Sequence, residues 1–189
     1  FGQTGPSADL PGYDFIVQGM GGIMDLTGEP DGPPQKPGVA YADLFTGLYS
    51  VIAIQAALAA RAGSGEGAFI DMSLYDTQVA VLANQSMNFL VSGRPPRRMG
   101  NAHPNLVPYQ TFAVADGEVV IAVGSDAQFR ALCGVLGLRD LGQAPEAATN
   151  AARVGHRTEV VSALQVALKT WQRQALLAAL RASGVPAGP

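Results

Sequence analysis

Between Leu44 and Ala60 the chain carries no charged side chain, and Gln55 is the only long polar one. This apolar run follows a Pro/Gly-rich stretch that cannot be helical. The pattern predicts a helix over about 42–62, stopped by Gly63-Ser64-Gly65-Glu66-Gly67. Asp43 stands at its start and reads as the N-cap. There its oxygen would accept from the free N–H groups of the first turn, and the helix dipole would favour its anion. The run reaches the lower edge of membrane-spanning length, but Thr46, Gly47, Ser50 and Gln55 within it point to a buried core helix.

Residues 1–41 are rich in Gly and Pro, with short apolar pieces at Phe15-Ile16-Val17 and Ile23-Met24. The cluster Gly19-Met20-Gly21-Gly22 lacks the strand–turn–helix context of a dinucleotide site. Beyond the long helix, Ala68-Phe69-Ile70-Asp71-Met72 reads as a short strand. Ser73 reads as the N-cap of a second helix running to about Leu90, with Asp76 completing the start. Residues 93–108 are dense in Pro, Gly and Arg and read as a linker. After it the period turns to two: Tyr109–Val114 and Glu118–Val123 flank Asp116-Gly117, a hairpin signal. Helices are expected at about 126–136, with Asp126 as N-cap, and at 157–170 and 172–183. In the middle one Val160, Val161, Leu164 and Leu168 form an apolar stripe. The expected organisation is a partial large domain over 1–92 carrying Asp43, the linker, and a small α+β domain over 109–189.

At 189 residues and 48% hydrophobic the chain can bury a real core. Its net charge of −3 offers no basic footprint for nucleic acid, and no polybasic run suggests an anionic membrane. The single cysteine, Cys133, excludes an intrachain disulfide and a thiolate cluster, which suits a reducing cytoplasm; its apolar setting reads as a buried small hydrophobe. The two histidines, His103 and His156, have no metal-ligand spacing, so no metal site is expected. No GxSxG elbow supports a serine hydrolase. The opening Phe1-Gly2-Gln3-Thr4-Gly5-Pro6 and the closing Gly184-Val185-Pro186 turn read as interior segments, so a fragment of a longer chain is expected.

Those two segments belong to a collinear series. It continues through Pro11-Gly12-Tyr13-Asp14, the Lys36–Gly47 stretch around Asp43, Gly93-Arg94-Pro95-Pro96-Arg97, Gly100-Asn101-Ala102-His103-Pro104, Pro108-Tyr109-Gln110 and Ala115-Asp116-Gly117. The series resembles the class III CoA-transferases, the formyl-CoA and carnitine-CoA transferase family, which is related to the α-methylacyl-CoA racemases. The resemblance implies an α/β fold: the central part of an interlocked homodimer, comprising the end of a nucleotide-type α/β large domain plus a small α+β domain. It implies CoA transfer between an acyl-CoA and a carboxylic acid, with coenzyme A as substrate and no permanently bound cofactor.

By the same resemblance Asp43 is the nucleophile, forming a covalent aspartyl intermediate. N–H groups at its helix terminus would steady charge on the attacked carbonyl. Tyr13, Asp14, Gly100 and His103 fall in the substrate and acyl pocket, and Arg97 and Arg98, with Arg94, suit CoA phosphates. The racemases carry a His where this chain has Tyr13, and a phenol with a reference pKa near 10 is a poor base for α-proton transfer. Transfer is therefore expected over racemisation. An acyl-CoA racemase, and an inert piece lacking its CoA-binding half, are the alternatives.

Overall fold

The computed structural model describes all of residues 1–189 and divides into two compact units, Phe1–Gly100 and Asn101–Pro189. The division falls inside the 93–108 segment.

The first unit is helical and contains no strand: α1 (Asp14–Met20), α2 (Ile23–Leu26), α3 (Tyr41–Ser64), α4 (Leu74–Ala80) and α5 (Asn84–Ser92). The apolar run forms α3, and Gly65 ends it in the left-handed conformation (φ 75°), donating its N–H to Arg61 O. Within α3 the hydroxyls of Thr46 and Ser50 bond back to the carbonyls of Ala42 and Thr46, each at 2.7 Å, which accommodates them on a helix otherwise apolar. Helices α1 and α4 pack on α3 and on each other. Gly21 closes α1 where a Cβ would collide with Gln78 of α4, so only glycine permits that approach.

Three expectations for this unit fail. First, α3 is not a buried core helix within these residues. Only Ala42 and Thr46 are buried, and Leu48 and Ile52 are each 60% exposed. The reason is length: α1 and α4, at seven residues each, span about 10 Å, against about 36 Å for the 24 residues of α3. By length and composition α3 is apolar enough to cross a membrane. Second, residues 68–72 form no strand, because no neighbour offers a ladder; Gln3 N–H donates to Asp71 Oδ2 at 2.8 Å and the Thr77 hydroxyl to Met72 Sδ at 3.7 Å. Third, the helix after Ser73 is interrupted. Ser73 does cap it, accepting from Asp76 N, but Ala83 takes φ 49° and α5 starts anew. The break lets Leu82, Phe89 and Leu90 join Leu26 and Val79 around an apolar cavity of about 370 Å³.

The second unit holds the hydrophobic core. Strands β1 (Tyr109–Val114) and β2 (Gly117–Ala122) form the expected hairpin, with Val114 opposite Gly117, whose φ of 147° needs glycine. Short β3 (Ala187–Gly188) adds antiparallel to β2, so the terminal Gly/Pro turn ends in a ladder that its composition does not suggest. Alternate residues Phe112, Val114, Val119 and Ile121 face inward. Against them pack Phe129, Leu132 and Cys133 of α6 (Asp126–Val135), the predicted stripe of Val160, Leu164 and Leu168 on α9 (Arg157–Leu168), and Leu176 and Leu180 of α10 (Arg173–Ala182). Burial pushes the Cys133 thiol up to about 11, as befits a core hydrophobe, although Arg153 pulls the other way. Two short helices, α7 (Arg139–Gln143) and α8 (Asn150–Gly155), escaped the periodicity.

Polar side chains tie this unit across long sequence separations. Gln165 of α9 pairs its amide with both N and O of Ala113, extending the strand edge. Asp116 Oδ1 accepts from Arg173 N at 2.7 Å and so caps α10 from the hairpin. Asp126 is not an N-cap as expected: Ser125 fills that role, and Asp126 instead accepts from Arg153 at 2.9 Å. Arg153 is 1% exposed, donates also to Val107 O and Ala147 O, and lies over the Phe129 ring at 4.4 Å.

Removing Arg153 leaves two interior carbonyls without donors and a cavity, so Arg153→Ala should cost about 2–4 kcal/mol. Asp126→Asn keeps an acceptor for the Arg153 guanidinium but removes the anion beside that buried cation, and should cost less, about 1–2 kcal/mol. Urea unfolding midpoints would check this ordering; equal losses would contradict it.

Candidate functional site

The site is built where α1 meets the start of α3. The residue before α3 is Ala40, which has no side chain able to cap it. Asp43 is therefore not the N-cap but the third residue of the helix, and the capping acceptor comes from α1. Oδ1 of Asp14 accepts from Ala42 N at 2.9 Å and from Asp43 N at 3.4 Å. Its Oδ2 accepts from Gln18 Nε2 at 2.7 Å, and that amide also reaches Val39 O at 3.3 Å. Gln18 is fully buried, so the arrangement is fixed from below.

Two consequences follow for the chemistry. The N–H groups of Ala42 and Asp43 are occupied, which corrects the expectation that the first turn would offer them to a reacting carbonyl. The Asp43 carboxylate, by contrast, is exposed and uncommitted. Beside it runs an apolar groove of about 410 Å³ lined by Ala40, Asp43, Leu44, Gly47, Leu48 and Val51. Gly47, one turn beyond Asp43, lowers the helix surface at that point. A free anion next to an apolar trough can attack an electrophile whose apolar part lies along the helix.

Tyr13 precedes Asp14 as the N-cap residue of α1 and is 70% exposed, with its phenol at the surface rather than buried in a loop. Gly100 (φ 56°) donates its N–H to Gly28 O at 3.1 Å, and a Cβ there would lie 3.3 Å from Glu29 Oε2. It is thus held against the 28–30 turn. Arg98 is not free for a phosphate: Nη1 reaches Asp25 Oδ1 at 2.7 Å and Asp25 O at 2.9 Å. Arg94 and Arg97 are exposed, Arg97 on a small pocket with Asp25, Pro30 and Pro96.

His103 belongs to the second unit. Its Nδ1 accepts from Asn105 N at 3.1 Å, its ring lies 5.2 Å from that of Tyr109, and its carbonyl accepts from Arg157. Burial, and then the Arg157 charge, lower its pKa from the ordinary imidazole value. These contacts describe a side chain that holds its own loop. Reading the sequence missed the Asp14–Gln18 pair, although its i, i+4 spacing on a helix was a usable signal. The Arg98–Asp25 tie, 73 residues apart, left none.

Residues 1–189 match the family model of CoA-transferase family III. The chain is 57% identical over 189 residues to succinate–glutarate CoA-transferase of Agrobacterium fabrum, covering 100% of this chain and 47% of that protein. It is 41% identical over 189 residues to succinyl-CoA:glutarate CoA-transferase of Mus musculus, covering 100% of this chain and 43% of that protein. Among solved structures, a CAIB/BAIF family protein from Brucella suis aligns over 100% of this chain and 50% of its own, with 59% identity and a TM-score of 0.76. The chain thus spans about half the length of the curated relatives it matches.

The His103 geometry makes a pH prediction. A base whose pKa is lowered on folding binds its proton first in the unfolded chain. Stability from this group is therefore full above about pH 6.5 and falls as pH drops through the lower folded value. In a proton NMR titration the His103 ring should titrate below the usual imidazole range, and His103→Gln should remove that part of the pH dependence of unfolding. Titration of His103 at or above the usual value would contradict it.

Proposed function

This chain belongs to CoA-transferase family III, and from that premise we propose that the whole protein transfers coenzyme A from an acyl-CoA to a free carboxylic acid, with Asp43 as nucleophile. The observation that carries the reading is Asp43 itself: an exposed, uncommitted carboxylate in the first turn of α3, beside an apolar groove.

Asp43 attacks the thioester carbonyl and expels CoA thiolate, leaving a mixed anhydride. The thiolate adds to the aspartyl carbonyl of that anhydride and releases the donor acid, which leaves an aspartyl-CoA thioester. The acceptor carboxylate then displaces the thiolate to form a second anhydride. Finally the thiolate takes the acceptor's acyl group and frees Asp43. Every step exchanges one activated acyl group for another, so the sequence needs no outside energy source. Relatives named for succinate and glutarate support short dicarboxylates as the donor acyl group and the acceptor.

Tyr13, exposed beside Asp14, lines the acyl pocket, and its phenol in place of a stronger base favours transfer over racemisation. Arg97, with Arg94, rather than Arg98 is available to CoA phosphates. Gly100 and His103 hold loops rather than reacting groups. The exposed apolar faces of α3 are the surface on which the remainder of an α/β large domain and an interlocked homodimer would close, and the setting is cytoplasmic.

Asp43→Ala in the whole protein should reduce transfer from succinyl-CoA to glutarate by at least about 10⁴-fold while CoA still binds. Product formation followed by mass spectrometry, with calorimetry for CoA, measures both. Turnover near wild type in the variant would sink the assignment.

A further inference from the structure

Asp43 occupies the helix position from which an acidic side chain ordinarily folds back toward the free amides at the helix start. A carboxylate bonded in that way is a poorer nucleophile, because its charge is already satisfied. Here a different carboxylate fills those amides: Asp14 Oδ1 takes Ala42 N and Asp43 N at 2.9 and 3.4 Å. On the reading of Asp43 as nucleophile, we propose that Asp14 is its positioning residue. It caps α3 from a neighbouring helix, fixes the first turn, and leaves the Asp43 carboxylate unbonded and facing outward.

The support beneath Asp14 fits this role. Gln18, one turn along α1 and fully buried, holds Oδ2 at 2.7 Å and reaches the Val39 carbonyl just ahead of α3. One amide thus joins the cap to the segment that enters the helix. The Gln18 Oε1 atom has no partner, so the amide can turn over and offer an acceptor instead. This makes Asp14→Asn a discriminating variant. Its amide oxygen still accepts from Ala42 N–H, and its NH₂ finds Gln18 Oε1, while the negative charge is gone. A cap needs the acceptor; a group acting on substrate by its charge needs the charge.

The test uses the whole protein and compares wild type, Asp14→Ala and Asp14→Asn by amide hydrogen exchange over residues 41–44 and by steady-state transfer from succinyl-CoA. In Asp14→Ala, exchange at Ala42 and Asp43 should quicken by about tenfold. Its kcat should fall by about 100-fold with the succinyl-CoA Kd within about twofold, since the nucleophile is displaced and substrate binding is not. Asp14→Asn should return both readouts to within about threefold of wild type. Unchanged exchange in Asp14→Ala overturns the cap, whatever the activity. An Asp14→Asn protein as slow as Asp14→Ala, with weakened succinyl-CoA binding, overturns positioning in favour of direct substrate contact. A wild-type protein without transfer counts against the transferase reading, and the exchange arm still decides the cap.

Discussion

The first unit turns on one carboxylate placed over the amides at the start of a helix. A long apolar helix preceded by Ala40 has no acceptor of its own for its first turn, and an uncapped start frays. Asp14 supplies the acceptor from α1, and Gln18 anchors it. A cap of this kind contributes about 1–2 kcal/mol. That is a large share for a unit whose buried side chains are Val17 and Ala42 among Gln18, Thr46, Ser73, Thr77 and Gln78. Hydrogen bonds and close helix contacts, rather than a broad apolar core, set the geometry around Asp43.

The same device recurs in the second unit, where Asp116 at the hairpin turn caps α10. There it has a different consequence, because a continuous core of β1, β2, α6, α9 and α10 already fixes the helix. In the second unit a tertiary cap refines a packed structure. In the first it determines where a reactive group points. The contrast places the exposed Asp43 carboxylate at the edge of the less densely packed unit.

Period and turn chemistry made the second unit legible in the sequence. Alternation around Asp116-Gly117 located the hairpin to within a residue, and the stripe of Val160, Leu164 and Leu168 identified the buried face of α9. The long helix was equally plain. What escaped depends on partners remote in sequence. The 68–72 strand had no ladder to join, α3 had too few neighbours to bury it, and a break at Ala83 carried no Gly or Pro to announce it. Asp43 stood out in the sequence because a carboxylate at the head of an apolar helix is a local pattern. That its amides were already taken could not be found, since the donor–acceptor pair lies 28 residues apart. Membership of CoA-transferase family III was legible from collinear motifs that no single stretch would establish.

Transfer by the proposed route requires that Asp43 become acylated. The most direct measurement incubates the whole protein with succinyl-CoA, traps with hydroxylamine, and maps the modified peptide by mass spectrometry. A hydroxamate is expected at Asp43, formed only when the acyl-CoA is present. An unmodified Asp43 in protein that is turning over, or a hydroxamate on another residue, would contradict it.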